Sequence, residues 1–166
     1  MIKNVHIITG LRYGGAEKLL YLTCTYLQSY DVDIKVVYFD PVAPMKPYFE
    51  KLGIPCSNIK RSFCGFWSLV MFLRREQFDV IHTHLIHADL IGRSAALISG
   101  KHRQVFTTVH GTEWFRRENK LVPRLVRWLD RSLSRPQKHA VIAISKSVRN
   151  LLIRKEKIDS KKITLL

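Results

Sequence analysis

Several stretches of the chain hold residue types suited to chemistry. The run Phe78-Asp79-Val80-Ile81-His82-Thr83-His84-Leu85-Ile86-His87 carries three histidines. On an extended strand alternate side chains share a face, so His82 and His84 point the same way. With His87 or His110 as a third ligand, they would be imidazoles of the kind zinc accepts. No carboxylate or cysteine at suitable spacing completes such a set, so no metal is expected. The alternative is one histidine buried and hydrogen-bonded and another, which we take as His84, lining a cleft. His110-Gly111 ends an apolar run, where a protonatable donor beside a flexible glycine is placed to meet a substrate; the competing reading is a solvated loop histidine. The segment Gly10-Leu11-Arg12-Tyr13-Gly14-Gly15-Ala16-Glu17-Lys18 leaves one apolar run and opens another. Glycines there let backbone amides approach an anion at the positive end of a helix, and Arg12 adds a cation. The spacing is neither G-x-G-x-x-G nor G-x-x-x-x-G-K-[ST], which argues against a dinucleotide fingerprint and an ATP-binding loop, and leaves a bare glycine turn as the plain alternative.

The elements that must position these groups follow from the hydrophobic pattern. Continuous apolar runs predict strands at Asn4 to Thr9, Asp33 to Phe39, Val80 to His84, Val105 to His110, Ala140 to Ile144 and Ile163 to Leu166. Helical patterns lie between them at Gly15 to Tyr30, Met45 to Leu52, Phe66 to Glu76, Ala88 to Ser99, Pro123 to Ser134 and Lys146 to Arg154. Strands that are apolar throughout suit a parallel sheet covered on both sides. The alternation predicts a Rossmann-like, doubly wound α/β fold, with ligands beyond the carboxyl ends of the strands. That edge brings in the loops after Thr9, Phe39, His84, His110 and Ile144, and with the last of them Ser145.

Composition narrows the classes. With 166 residues, 46% hydrophobic, the chain has enough for one core. The longest nearly unbroken apolar stretch, Phe63 to Leu73, is far short of the roughly 20 residues of a membrane span. The first ten residues read as a buried strand rather than a secretory leader, giving an expectation of a cytosolic protein or one on the cytosolic membrane face. Cys24, Cys56 and Cys64 lack C-x-x-C spacing and read as small apolar side chains. The net charge is +15, and residues 101–166 hold 17 Lys and Arg against 5 Asp and Glu, 12 of that total. Such asymmetry implies an anionic partner. After Pro123, Arg124, Arg127, Arg131 and Arg135 recur on one helical face, beside Leu125, Val126, Leu129 and Leu133. With Trp114, Phe115 and Trp128 nearby, this is the pattern of a helix lying on an anionic membrane; a domain helix with solvated arginines is the other reading.

The order of these segments resembles glycosyltransferase family 4, of the two-domain GT-B class. Gly14-Gly15-Ala16-Glu17-Lys18 is similar to the family's G-G-A-E-[RK]. Phe78-Asp79-Val80-Ile81-His82-Thr83-His84 resembles its D-V-[IV]-H-x-H segment, and Thr108-Val109-His110-Gly111 its T-x-H-[GD] strand end. Ala140 to Arg149 is similar to A-x-I-A-[VI]-S-x-x-[VL]-[RK], and Lys162 to Leu166 to the strand that runs on into P-N-G. The resemblance implies a retaining transferase that moves a sugar from a nucleotide-sugar donor to a saccharide or lipid-linked acceptor, with no cofactor and no required metal. It implies that Gly14 and Gly15 face the donor diphosphate and that His110 touches the reacting sugar. Residues 114 to 135 correspond to the region by which several members hold the membrane.

In the family the acceptor lies mainly against the amino-terminal domain and the nucleotide against a carboxy-terminal one. Residues 1–166 therefore read as a single amino-terminal, acceptor-side domain without its donor-binding half. The expectation is a chain inactive unless completed by a separate domain or subunit. The rival class is a non-catalytic basic α/β module binding acidic lipid or nucleic acid; it rests on charge alone, and no nucleic-acid motif supports it. A nicotinamide-binding domain, with Asp40 as the acidic residue, is weakened by the glycine spacing.

Overall fold

The computed structural model describes residues 1–101, 105–111, 128–129, 132–133 and 140–166. Within them the strands are β1 (Ile2–Ile8), β2 (Val32–Tyr38), β3 (Cys56–Asn58), β4 (Val80–His84), β5 (Val105–Val109), β6 (Ala140–Ala143) and β7 (Ile163–Leu165). Among the described residues the helices are α1 (Gly15–Leu27), α2 (Lys46–Lys51), α3 (Phe63–Glu76), α4 (Ile86–Ile98) and α5 (Lys146–Arg154), with short helical stretches at 128–129 and 132–133 and a 3₁₀ turn at Ser160–Lys162. All strand pairings are parallel and the spatial order is β3-β2-β1-β4-β5-β6-β7. The order reverses direction between β1 and β4, and in open α/β sheets ligands bind beyond the carboxyl edge at such a switch point.

Alternation along the strands divides the core. Val5, Ile7, Val37 and Ile81 pack with Leu69, Leu73, Ala88 and Ala95 of α3 and α4. Ile8, Ile34, Val36 and Tyr38 pack with Leu20, Cys24 and Phe49 of α1 and α2 on the other side. A smaller cluster joins Val141, Ala143 and Ile163 to Val148 and Leu152 of α5. Burying each Val, Leu, Ile or Phe side chain among these contributes about 1.5–3 kcal/mol before entropy is counted.

The predicted strands all form, with ends displaced by at most two residues and β4 matching at both ends. β3 was not predicted, because three largely exposed edge residues make no apolar run. α3 begins at Phe63 rather than Phe66. Ser62 caps it, its hydroxyl accepting the Gly65 N–H at 3.1 Å, and any side chain at Gly65 would strike the Lys60 carbonyl oxygen. α4 likewise starts two residues early. Its packing on the sheet is close: a Cβ at Gly92 would come within 2.8 Å of Thr83 Cγ2. Beneath it the Asp89 carboxylate meets the Arg93 guanidinium at 2.9 Å, and the hydroxyls of Thr83 and Thr107 donate to Asp89 Oδ1 at 2.5 and 2.6 Å. Asp89 and Arg93 are both fully buried, so this charge pair is held by hydrogen bonds rather than by water. The helix predicted from Pro123 to Ser134 lies almost wholly outside the described residues.

Candidate active site

The carboxyl edge of the sheet collects the groups singled out in the sequence. The loop after β1 holds Gly10, Arg12 and Gly14, and Gly15 opens α1; β4 ends at His84, β5 runs into His110, and Ser145 follows β6. The histidines project from one face, since His6, His82, His84 and His110 occupy alternate positions on β1, β4 and the strand leading out of β5. The sheet register pairs His6 directly with His82, and His84 with Thr108.

This register places imidazoles in hydrogen-bond contact across strands. His84 Nδ1 lies 3.1 Å from His110 Nε2, and its Nε2 lies 3.0 Å from His6 Nδ1. His6 Nε2 is 3.2 Å from the Asn4 side-chain nitrogen. His82 stands apart from that line: its Nε2 is 2.7 Å from the Thr108 hydroxyl, and its ring stacks on His84 with centroids 4.2 Å apart. Burial disfavours the charged form of all four. It lowers His110 to about 4. Burial, helped by the proximity of His110, lowers His82 to about 3. His6 and His84 are driven well below the ordinary value by burial first and by neighbouring rings second. The rings are thus neutral at physiological pH. His6, His82 and His84 bring ring nitrogens within 4.8 Å of one another, a grouping compatible with a metal ion. Both nitrogens of His6 and of His84 already have hydrogen-bond partners in the protein, however, and a metal would have to break those bonds.

The turn after β4 is strained. Leu85, directly after His84, has φ 67° and ψ 145°, a conformation disfavoured for a residue with a side chain and costing of order 1–3 kcal/mol. It ends the strand at His84 and starts α4 one residue later.

The glycine loop is arranged for access. A Cβ at Gly15 would meet nothing within 4 Å, whereas the Glu17 carboxylate occupies the place of a Gly14 side chain. Burial raises the Glu17 carboxyl, and Asp40 adds to the rise. Arg12 Nε is 3.6 Å from Asp40, which also accepts from Arg61 Nη2 at 2.9 Å, so the Arg12 charge is shared with a carboxylate. Ser145 spends its hydroxyl on capping α5, accepting the Val148 N–H at 3.2 Å.

Of the site residues predicted from sequence, Arg12, Gly14, Gly15, His84, His110 and Ser145 therefore come to one edge. His84 sits behind His110, 3% exposed. Asn4, His6 and Thr108 were missed, although polar Asn4 and His6 at alternate positions of a largely apolar strand were a usable signal; Asp40, weighed only as the acidic residue of a nicotinamide site, instead pairs with Arg12 and Arg61. Of the membrane residues, Trp128 lies in a helical stretch and is 61% exposed. Trp114, Phe115, Arg124, Arg127 and Arg131 lie outside the described residues.

A family model described as Glycosyltransferase Family 4 matches residues 13–166. An Escherichia coli UDP-Gal:alpha-D-GlcNAc-diphosphoundecaprenol alpha-1,3-galactosyltransferase is 26% identical over 137 residues, covering 78% of this chain and 35% of its own length. Among solved structures, Anabaena Alr3699/HepE in complex with UDP superposes with a TM-score of 0.78 at 15% identity, over 100% of this chain and 43% of that one. The lipopolysaccharide outer core galactosyltransferase WaaB, in its apo form, gives 0.67 at 15% identity, over 98% of this chain and 44% of that one. The fold matches one half of these GT-B structures, and the chain spans about a third to under a half of each of these proteins.

Proposed function

Because the chain belongs to glycosyltransferase family 4, we propose that it forms the amino-terminal, acceptor-side half of a retaining transferase that moves a sugar from a UDP-sugar to a lipid-linked saccharide. The observation that carries this reading is that the open Gly15 turn after β1 and His110 after β5 lie at the same carboxyl edge of a family 4 chain. The E. coli relative is named for UDP-Gal and a diphosphoundecaprenol acceptor, which supports that choice of substrates. The Anabaena protein has been solved with UDP and with UDP-glucose, which supports the donor class.

In this reading a second, donor-binding half closes over the carboxyl edge. The amides of Gly14 and Gly15 at the start of α1 then face the diphosphate, where the helix dipole favours negative charge. Leaving-group charge grows in the transition state, so donors fixed beforehand lower the barrier more than they tighten the ground state. His110, neutral and backed by His84, hydrogen-bonds the transferred sugar. Arg12 reaches the phosphates by exchanging its Asp40 partner for them, and Ser145 holds the start of α5 at the rim. Residues 114–135, with their arginines and Trp114, Phe115 and Trp128, rest on the anionic cytosolic face of the membrane where the acceptor lies. No helix among the described residues is long and apolar enough to cross a membrane.

Transfer from UDP-galactose to a GlcNAc-diphospholipid tests the reading. The 166-residue chain is expected to show no turnover alone, and to bind the acceptor more tightly than UDP. Turnover by the isolated chain, or preference for UDP, would refute the division of labour. In the two-domain enzyme His110→Ala should lower kcat about ten- to a thousandfold with little change in nucleotide affinity, the range for one positioned polar group. Gly15→Val should weaken the donor step without loss of stability, since its side chain enters open space. Wild-type rates in both variants would return the turn and the histidine to structural roles.

A further inference from the structure

The contacts behind His110 form a line with a direction. Asn4 Nδ2 is 3.2 Å from His6 Nε2, His6 Nδ1 is 3.0 Å from His84 Nε2, and His84 Nδ1 is 3.1 Å from His110 Nε2. A neutral imidazole has one N–H and one lone pair, so each ring can donate at one nitrogen and accept at the other. Fixing the first bond therefore fixes every later one. An amide nitrogen only donates, which makes His6 Nε2 an acceptor and puts its proton on Nδ1. That proton goes to His84 Nε2, and the His84 proton, on Nδ1, goes to His110 Nε2.

The amide orientation is itself decided by burial. Asn4 is 6% exposed and its Oδ1 has no hydrogen-bond partner. Turning the amide over would place the NH₂ in that position, and an orphaned buried N–H is rarer in proteins than an under-satisfied carbonyl oxygen. The end group matters in a second way. A carboxylate at position 4 would attract charge onto His6, whereas an amide orients the ring and leaves it neutral.

We propose that Asn4 and His6 are positioning residues which, through His84, hold His110 in the Nδ1–H tautomer, so that its remaining ring nitrogen offers a hydrogen-bond donor and no lone pair. Burial of His6 and His84, which keeps both rings uncharged, preserves the alternation on which the line depends. The catalytic meaning, a donor to an electronegative oxygen of the sugar in place of a general base, rests on the transferase reading above; the tautomer does not.

Long-range proton–nitrogen correlation spectra of the histidine-labelled 166-residue chain at pH 7.5 test this without any activity measurement. In the wild type, His6, His84 and His110 are each expected to carry the proton on Nδ1. Asn4→Leu removes the first donor, and the Nε2–H form of His110, three hydrogen bonds away, should rise from undetected to a population comparable with the Nδ1–H form. Thr108→Val removes only the His82 contact and should leave His110 unchanged. An Nε2–H His110 in the wild type overturns the proposal even if Asn4→Leu fails to fold. So does an unchanged His110 tautomer in folded Asn4→Leu, or joint loss of the three ring signals with one equivalent of Co²⁺, which would assign the rings to metal binding. In the two-domain enzyme, Asn4→Leu should lower kcat while leaving KM for the UDP-sugar in place. A confirmed tautomer shift with no transfer activity in any variant would count against the transferase reading alone.

Discussion

His110 and its partners show how much chemistry a single residue borrows from others. The strand end Thr108-Val109-His110-Gly111 was legible because a histidine beside a glycine at the end of an apolar run stands out. Its state was not legible, since its proton is set by Asn4, His6 and His84 on two other strands. The same burial predicts an acid response. An unfolded histidine titrates near 6.5, and in the folded chain His6 and His84 lie well below that, with His110 near 4 and His82 near 3. The unfolded state therefore binds more protons, so the histidine contribution is fully present above pH 6.5 and is lost as pH falls through and below it. Each fully buried histidine removes about 1.4 kcal/mol per pH unit in that window. Melting followed by circular dichroism should show Tm falling steeply between pH 6.5 and 5, and a flat Tm across that range would contradict neutral, buried rings.

Helix and strand boundaries expose what apolar periodicity can and cannot report. α5 appears at Lys146–Arg154 as predicted, because Ser145 is a capping residue directly before an amphipathic run. α3 starts earlier than its periodicity indicates, since its first turn is set by the Ser62 cap and by the absence of a side chain at Gly65 rather than by apolar spacing. α4 carries the clearest element-scale dependence. Asp89 binds Arg93, Thr83 and Thr107 and thereby ties the helix to β4 and β5. Asp89→Ala leaves a buried guanidinium without its carboxylate, and should destabilise the chain by about 3–5 kcal/mol. Urea unfolding would register this as a large drop in midpoint at similar slope. A loss under 1 kcal/mol would mean that water or another acceptor replaces the carboxylate. Nothing in the spacing of Thr83, Asp89, Arg93 and Thr107 shows in advance that the four converge, because three elements contribute to one point.

At the scale of the whole molecule the charge is the dominant property, +15 with most of it after residue 100. Vesicles containing acidic lipid should bind the chain and neutral vesicles should not. Binding should weaken as salt rises past physiological strength, where screening acts over about 8 Å. Equal binding to both vesicle types, or binding unaffected when Arg124, Arg127 and Arg131 become Gln, would remove the membrane from the proposed function. The sequence by itself determined the doubly wound fold and the edge to which Gly14, Gly15, His84, His110 and Ser145 come. Both follow from local information: continuous apolar runs specify buried parallel strands, helical runs between them specify the crossovers, and the handedness of those crossovers leaves one edge for ligands. Only the tertiary structure decided that His84 is buried behind His110, that Arg12 is shared with Asp40, and that Asn4 and His6 join the histidines in one hydrogen-bonded line. Those facts depend on strand register and on which strands are neighbours, and residues 4, 6, 84 and 110 meet only because β1, β4 and β5 lie side by side.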